Sequence, residues 1–287
     1  MTEQHSDSTA SNNPSTVTQV AVVQHNAGVD VEANLSKLEL LSAQAASEGA
    51  QLITWPEAFA YLGRHDGKKA ILESLSAGGP ILTRCQDLAR SLNCHLLLGG
   101  FHEAVSDDPE RCYNTSVYLD ETGSIRASYR KIHLFDVNIP NGPQLMESRQ
   151  TAPGEKAVCV DTPMGSLGLT ICYDVRFPAL YQRLATMGAV AMTVPSAFTA
   201  TTGAAHWHTL LRARAIETQS YIIAPAQHGA HSANRASYGH SLIVDPWGKI
   251  IAELPEGDGY VIGAVDSHEV HRIRREVPSL ANQRPIN

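Results

Sequence analysis

Residues 19–24 (QVAVVQ) form a short run rich in valine. Residues 31–47 carry Leu35, Leu38, Leu41 and Ala45 on one helical face, and residues 51–55 (QLITW) form a second apolar run. Strand, helix and strand in that order predict a parallel pair joined by a right-handed crossover, because parallel strands need a long return connection. Helix and strand alternate again over residues 81–92 and 95–100, over 177–187 and 190–194, and over 205–218 and 221–226. Hairpin signals separate these units. Residues 114–119 and 125–131 flank Asp120-Glu121-Thr122-Gly123, residues 158–161 and 168–172 flank Pro163-Met164-Gly165, and residues 241–244 and 249–254 flank Asp245-Pro246-Trp247-Gly248. With a last strand at 260–265, about a dozen strands and four or five helices point to two packed sheets with helices outside. No linker divides the chain, so one domain over 18–287 is expected behind a solvated Ser/Thr/Asn-rich tail at 1–17.

Composition narrows the function. Hydrophobic residues make up 43% of the 287, enough for a sizeable core, and the formal charge is −7. A net-acidic chain is poorly suited to displacing phosphate counterions, so nucleic acid is not an expected partner. No apolar run approaches the ~18 residues of a membrane span, and the N-terminal segment lacks the basic start and apolar stretch of a secretory signal. The five cysteines contain no CxxC pair and do not read as a disulfide framework, which suits a reducing, cytoplasmic compartment.

Phosphate cradles of the GxxxxGK[ST] and GxGxxG types are absent, as are a GxSxG elbow and HExxH. His206, His208, His228 and His231 are the residues to weigh as metal ligands, and scattered surface histidines explain them better. Cys172 stands out among the cysteines. It ends an apolar run just before a predicted helix, where outward N–H groups favour an anion and would lower the thiol pKa. Glu57 follows a buried run at Trp55-Pro56, and partial burial would raise its pKa toward the range of a general acid or base. Lys131 ends a third strand. Each has an innocent reading, as a core cysteine or as solvated loop charges. Together, a thiol, a carboxylate and an ammonium at three strand ends suit nucleophilic attack on a carbonyl or nitrile carbon.

The segments LITWPEAF, YRKIHLFD and LTICYDVRFP resemble the three catalytic motifs of the carbon–nitrogen hydrolases, the nitrilase superfamily, with 41 residues from Lys131 to Cys172. Supporting likeness extends from about Gln19 to Pro285, nearly all the expected ordered chain. The resemblance implies an α/β fold, a four-layer αββα sandwich. It implies Cys172 as nucleophile, Glu57 as general base and acid, Lys131 as stabiliser of the tetrahedral intermediate and Glu147 as an accessory group. The backbone N–H of Tyr173 would help hold the oxyanion, and neither metal nor organic cofactor has a role. GGFHE, RARAIETQ, RASYGHS and VDPWG are most similar to the branch acting on the amide of deaminated glutathione, with the omega-amidases its nearest neighbour. A small 2-oxo-acid amide is therefore the expected substrate. Arg176 is a candidate clamp for its carboxylate, with a structural ion pair to Asp174 as the alternative, and Thr199 and Thr202 are candidate pocket hydroxyls. The resemblance also implies a homodimer or larger homo-oligomer.

Overall fold

The computed structural model describes residues 17–138 and 144–284. The expected N-terminal tail lies outside them except for Val17, which already opens the first strand. In chain order the elements begin β1 (Val17–His25), α1 (Val31–Ser47), β2 (Leu52–Trp55), α2 (His65–Lys69), α3 (Pro80–Leu92), β3 (His95–Ala104), β4 (Cys112–Leu119) and β5 (Ile125–Arg130). They continue with β6 (Asp136–Asn138), β7 (Gln144–Met146), β8 (Val158–Thr162), β9 (Gly165–Leu169), α4 (Pro178–Thr186), β10 (Ala191–Thr193), α5 (Ala200–Thr218) and β11 (Tyr221–Ala224). The last are β12 (Ala226–Ser232), β13 (Arg235–Tyr238), β14 (Ser241–Val244), β15 (Ile250–Leu254), β16 (Gly259–Asp266) and α6 (Ser267–Glu276).

Two sheets carry the fold. One runs β13-β12-β1-β2-β3-β4-β5, with β16 also paired to β1, and the other runs β15-β14-β11-β10-β9-β8. The expected crossover is present: β1 and β2 are parallel, with Val20 opposite Leu52. Two-residue alternation then sorts side chains into layers. Ala21 and Val23 of β1 pack with Leu35, Leu38 and Leu41 of α1 and with Leu82 and Cys85 of α3. Val20 and Val22 face the other way, into a core shared with Leu167 and Leu169 of β9, Leu184 of α4 and Trp207 and Leu211 of α5. The result is the αββα sandwich.

Caps account for the helix boundaries. Asp30 accepts from the Ala33 N–H at 3.0 Å and opens α1. Gly79, the residue before α3, has no side chain to cap with, and the buried Glu73 carboxylate takes the N–H groups of Ile81 and Leu82 at 2.7 and 2.9 Å instead. Several expectations need correction. The strand expected at 168–172 is β9 and ends at Leu169. α5 starts at Ala200, five residues early, because Thr199 caps it. The stretch around His228 and His231, outside every strand expected above, is the β12–β13 hairpin, whose exposed faces hide its alternation.

Candidate active site

Glu57 lies two residues past β2, Lys131 one residue past β5, and Cys172 three residues past β9. The first two come from one sheet and the third from the other, and they line a single cavity of about 350 Å³ together with Asn114, Glu147, His102 and Phe135. Cys172 opens a short 3-10 turn with φ of +47°, and Ala58, beside Glu57, has φ of +60°. Left-handed backbone at two non-glycine residues is strain that the surrounding packing must hold.

Lys131 Nζ lies 2.9 Å from Glu57 Oε1 and 2.9 Å from Glu147 Oε2. Asn114 Nδ2 donates to Glu57 Oε1 at 2.8 Å and to Glu147 Oε1 at 3.3 Å. The Ala197 N–H donates to Glu57 Oε2 at 2.8 Å, and the Phe135 N–H to Glu147 Oε2 at 2.7 Å. Behind the Cys172 turn the fully buried Asp174 accepts from the Ile171 N–H, the Tyr129 hydroxyl and the His133 N–H. Asp174 thus faces inward and makes no pair with Arg176.

This electrostatic arrangement reverses two expectations. Burial alone would raise the Glu57 pKa, but the Lys131 charge and hydrogen bonds from Lys131, Cys172 and Asn114 bring the carboxyl down to about 2. For Cys172, burial and the Glu57 carboxylate push the thiol up and outweigh Lys131. A five-residue turn offers little dipole to oppose them. Burial disfavours the Lys131 charge, but Glu147 and Glu57 hold its pKa well above the usual value. The resting site is therefore a thiol beside an ionised carboxylate, with one ammonium shared by two acids.

Gly100 makes room for this arrangement. It sits with φ of +68° in a bulge, where Leu98 to Phe101 of β3 oppose Val117 to Thr115 of β4. A Cβ there would stand 2.6 Å from the Ala58 nitrogen and 3.0 Å from the Glu57 Cα. Gly100→Ala is expected to displace the Glu57 turn and lower kcat about 10- to 100-fold, with a loss of about 1–3 kcal/mol of stability. Kinetics alongside a denaturant melt check both effects.

The other sequence candidates are dispersed. Tyr173, Thr199 and Thr202 line a small cavity of about 20 Å³ on another side of Cys172, with Phe135 and Phe198. The two threonine hydroxyls lie 2.7 Å apart, and Thr199 caps α5. Arg176 lines neither cavity: its guanidinium lies over the Phe198 ring at 5.0 Å and 3.4 Å from His206 Nδ1. The histidines part company too. His228 pairs with Asp258, His231 with Ser237 and the Ala27 carbonyl, and His208 with Glu253, which also takes His240.

Asn114 carries no motif signal, and reading the sequence alone misses it. Only the contact of β4 with β3 and β5 brings it to both carboxylates.

Residues 19–275 match the carbon–nitrogen hydrolase family. The human deaminated glutathione amidase is 44% identical over 269 residues, 93% of this chain and 82% of that protein. The crystal structure of Nit3 from Saccharomyces cerevisiae, a member of branch 10 of the nitrilase superfamily, superposes with a TM-score of 0.82 at 32% identity, covering 94% of this chain and 97% of that one. A mutant amidase from Nesterenkonia sp. AN1, with a TM-score of 0.75 at 26% identity over 93% of this chain and 97% of that one, carries the acetamide moiety of fluoroacetamide on its active-site cysteine. With a family match across most of its length and relatives covered nearly end to end, the chain belongs to the carbon–nitrogen hydrolases of the nitrilase superfamily.

Proposed function

We propose that this amidase hydrolyses the amide of deaminated glutathione to 2-oxoglutarate and Cys-Gly, through a thioester on Cys172. The observation that carries the chemistry is the Glu57–Lys131 contact of 2.9 Å in the cavity that Cys172 also lines. Glu57 takes the thiol proton as sulfur bonds to the amide carbon. Lys131 and the Tyr173 N–H stabilise the oxyanion, the latter from the first turn of the 3-10 segment, where leading N–H groups lack helical acceptors. Glu57 returns the proton to the departing amine as the C–N bond breaks. Water then adds to the thioester and gives a proton to Glu57, which passes it to sulfur as the acid leaves. Glu147 helps hold Lys131 in place as its second carboxylate partner.

The substrate choice rests on the 44% identity to the human deaminated glutathione amidase. Its kcat/KM on deaminated glutathione is expected to exceed that on 2-oxoglutaramate by at least about tenfold, a difference of about 1.4 kcal/mol in transition-state binding. Faster turnover of 2-oxoglutaramate would make the protein an omega-amidase. The cysteines are free, which suits a reducing cytoplasm, and no helix among the described residues is long and apolar enough to cross a membrane. The exposed Ile216 and Trp247, on and beside α5, support our reading of a homo-oligomer.

A further inference from the structure

The catalytic cavity is positively charged in an acidic protein. Four cations, Lys68, Lys131, Arg149 and Arg235, line it against two carboxylates, Glu57 and Glu147, while the whole chain carries −7. Both carboxylates are engaged by Lys131. Arg149 makes no ion pair or side-chain hydrogen bond among the described residues, but its charge is felt at Asp136 and not at His102. Lys68 on α2 and Arg235 on β13 remain. Among the described residues neither side chain makes an ion pair or a hydrogen bond, although the neighbouring Lys69 is held 2.6 Å from Glu110. Both line the same cavity as the buried His102, whose Nε2 donates to the Tyr61 carbonyl at 3.0 Å, and each adds positive field there. Burial chiefly, with that field, pushes the His102 pKa down to about 3, so the imidazole is neutral and adds no charge of its own. The segments that lead into α2 and β13 both touch the loop after β1. Leu62, ahead of α2, bonds the Gly28 carbonyl at 3.0 Å, and His231 of β12 bonds the Ala27 carbonyl at 3.1 Å.

Unpaired cations lining a site raise the local concentration and affinity of anions. Lys131 and Cys172 are buried, whereas Lys68 is half-buried and Arg235 exposed, so these two stand nearer the cavity mouth. In a thioester mechanism the acyl group stays on the buried sulfur while the amine departs toward solvent. The amine half of the substrate therefore meets the mouth.

We propose that Lys68 and Arg235 form a carboxylate subsite on the leaving-amine side of the cavity, which selects amides whose amine half carries its own carboxylate. Arg235 supplies a planar fork suited to a carboxylate and Lys68 a point charge. The inference rests on the amidase reading above. In deaminated glutathione the group is the glycyl carboxylate; 2-oxoglutaramate, which releases ammonia, has no counterpart.

The test measures both substrates with the wild type, Arg235→Gln, Lys68→Met and the double variant. Each single change is expected to raise KM for deaminated glutathione about tenfold with kcat within about twofold, and to leave both constants for 2-oxoglutaramate within about twofold. Arg235→Lys and Lys68→Arg should restore most of the loss. The Kd of deaminated glutathione is measured in parallel in a Cys172→Ala background and should weaken by the same factor. Equal losses on both substrates, or no loss on either, would overturn the subsite. Binding that depends on the two cations without wild-type turnover would count against the proposed reaction and leave the subsite standing. Turnover indifferent to them would do the reverse, and neither binding nor turnover would end both.

Discussion

Cys172→Ala is expected to lower kcat by about 10,000-fold or more, because in the proposed reaction its sulfur carries the acyl group. Rapid quenching of the wild type during turnover, followed by intact-mass measurement, should reveal a species heavier by the acyl group, absent in the variant. The fold should survive. The thiol is pushed toward its neutral form by burial and the Glu57 carboxylate, so no buried charge is lost with it. The melting temperature is accordingly expected to stay within about 3 °C of wild type. Residual turnover at a tenth of wild type would rule out the thioester route.

Lys131→Met is expected to damage both chemistry and stability. The ammonium is 2% exposed and bonds two carboxylates, so its loss leaves Glu57 and Glu147 facing each other with Asn114 as their shared donor. Loss of the oxyanion charge should cost about 100- to 1,000-fold in kcat. Stability should fall by about 3–5 kcal/mol near neutral pH, as for other broken buried pairs. The pH dependence gives the signature. In the wild type the Glu57 pKa is brought from 4.5 to about 2, so its stabilising contribution is complete above pH 4.5, declines below it and is lost as pH falls through about 2. Without Lys131 burial dominates and the carboxyl takes up a proton at higher pH. The deficit against wild type should therefore shrink on acidification from pH 7 to 4, followed by denaturant titration at each pH. A deficit constant across that range would mean that lost packing, and not charge, sets the stability of this pocket.

Much of the architecture can be read along the chain. The boundaries expected for α1, residues 31–47, agree with the structure, because an apolar face at helical spacing and an Asp cap are local properties. The strand pair β14 and β15 is legible from the turn residues between them. The strand leading to Cys172 is shorter than its apolar run. Thr170 and Ile171 are as buried as any strand residue, but the backbone partners here lie in other loops, with the Cys172 N–H on the Pro195 carbonyl. The β12–β13 hairpin is hidden in the sequence for a related reason. Its small exposed residues Gly229 and Ala230 carry no burial pattern, and pairing with β1 holds its start.

The site divides along the same boundary. That a thiol, a carboxylate and an ammonium stand just past three strands follows from the order of residues, and for Glu57 and Cys172 the place is marked by where an apolar run stops. Their charge states do not follow. The carboxyl pKa goes down where burial alone predicts up, and the thiol pKa goes up where the turn predicts down, because each responds to groups 41 to 115 positions away in the chain. Asn114, Gly100 and the unpaired Lys68 and Arg235 gain meaning only by proximity. Local sequence determined which elements form and which reactive groups stand at their ends; packing of the two sheets decided which charges meet, and Coulomb interactions between remote residues depend on their distance in space and the medium between them, not on their separation along the chain.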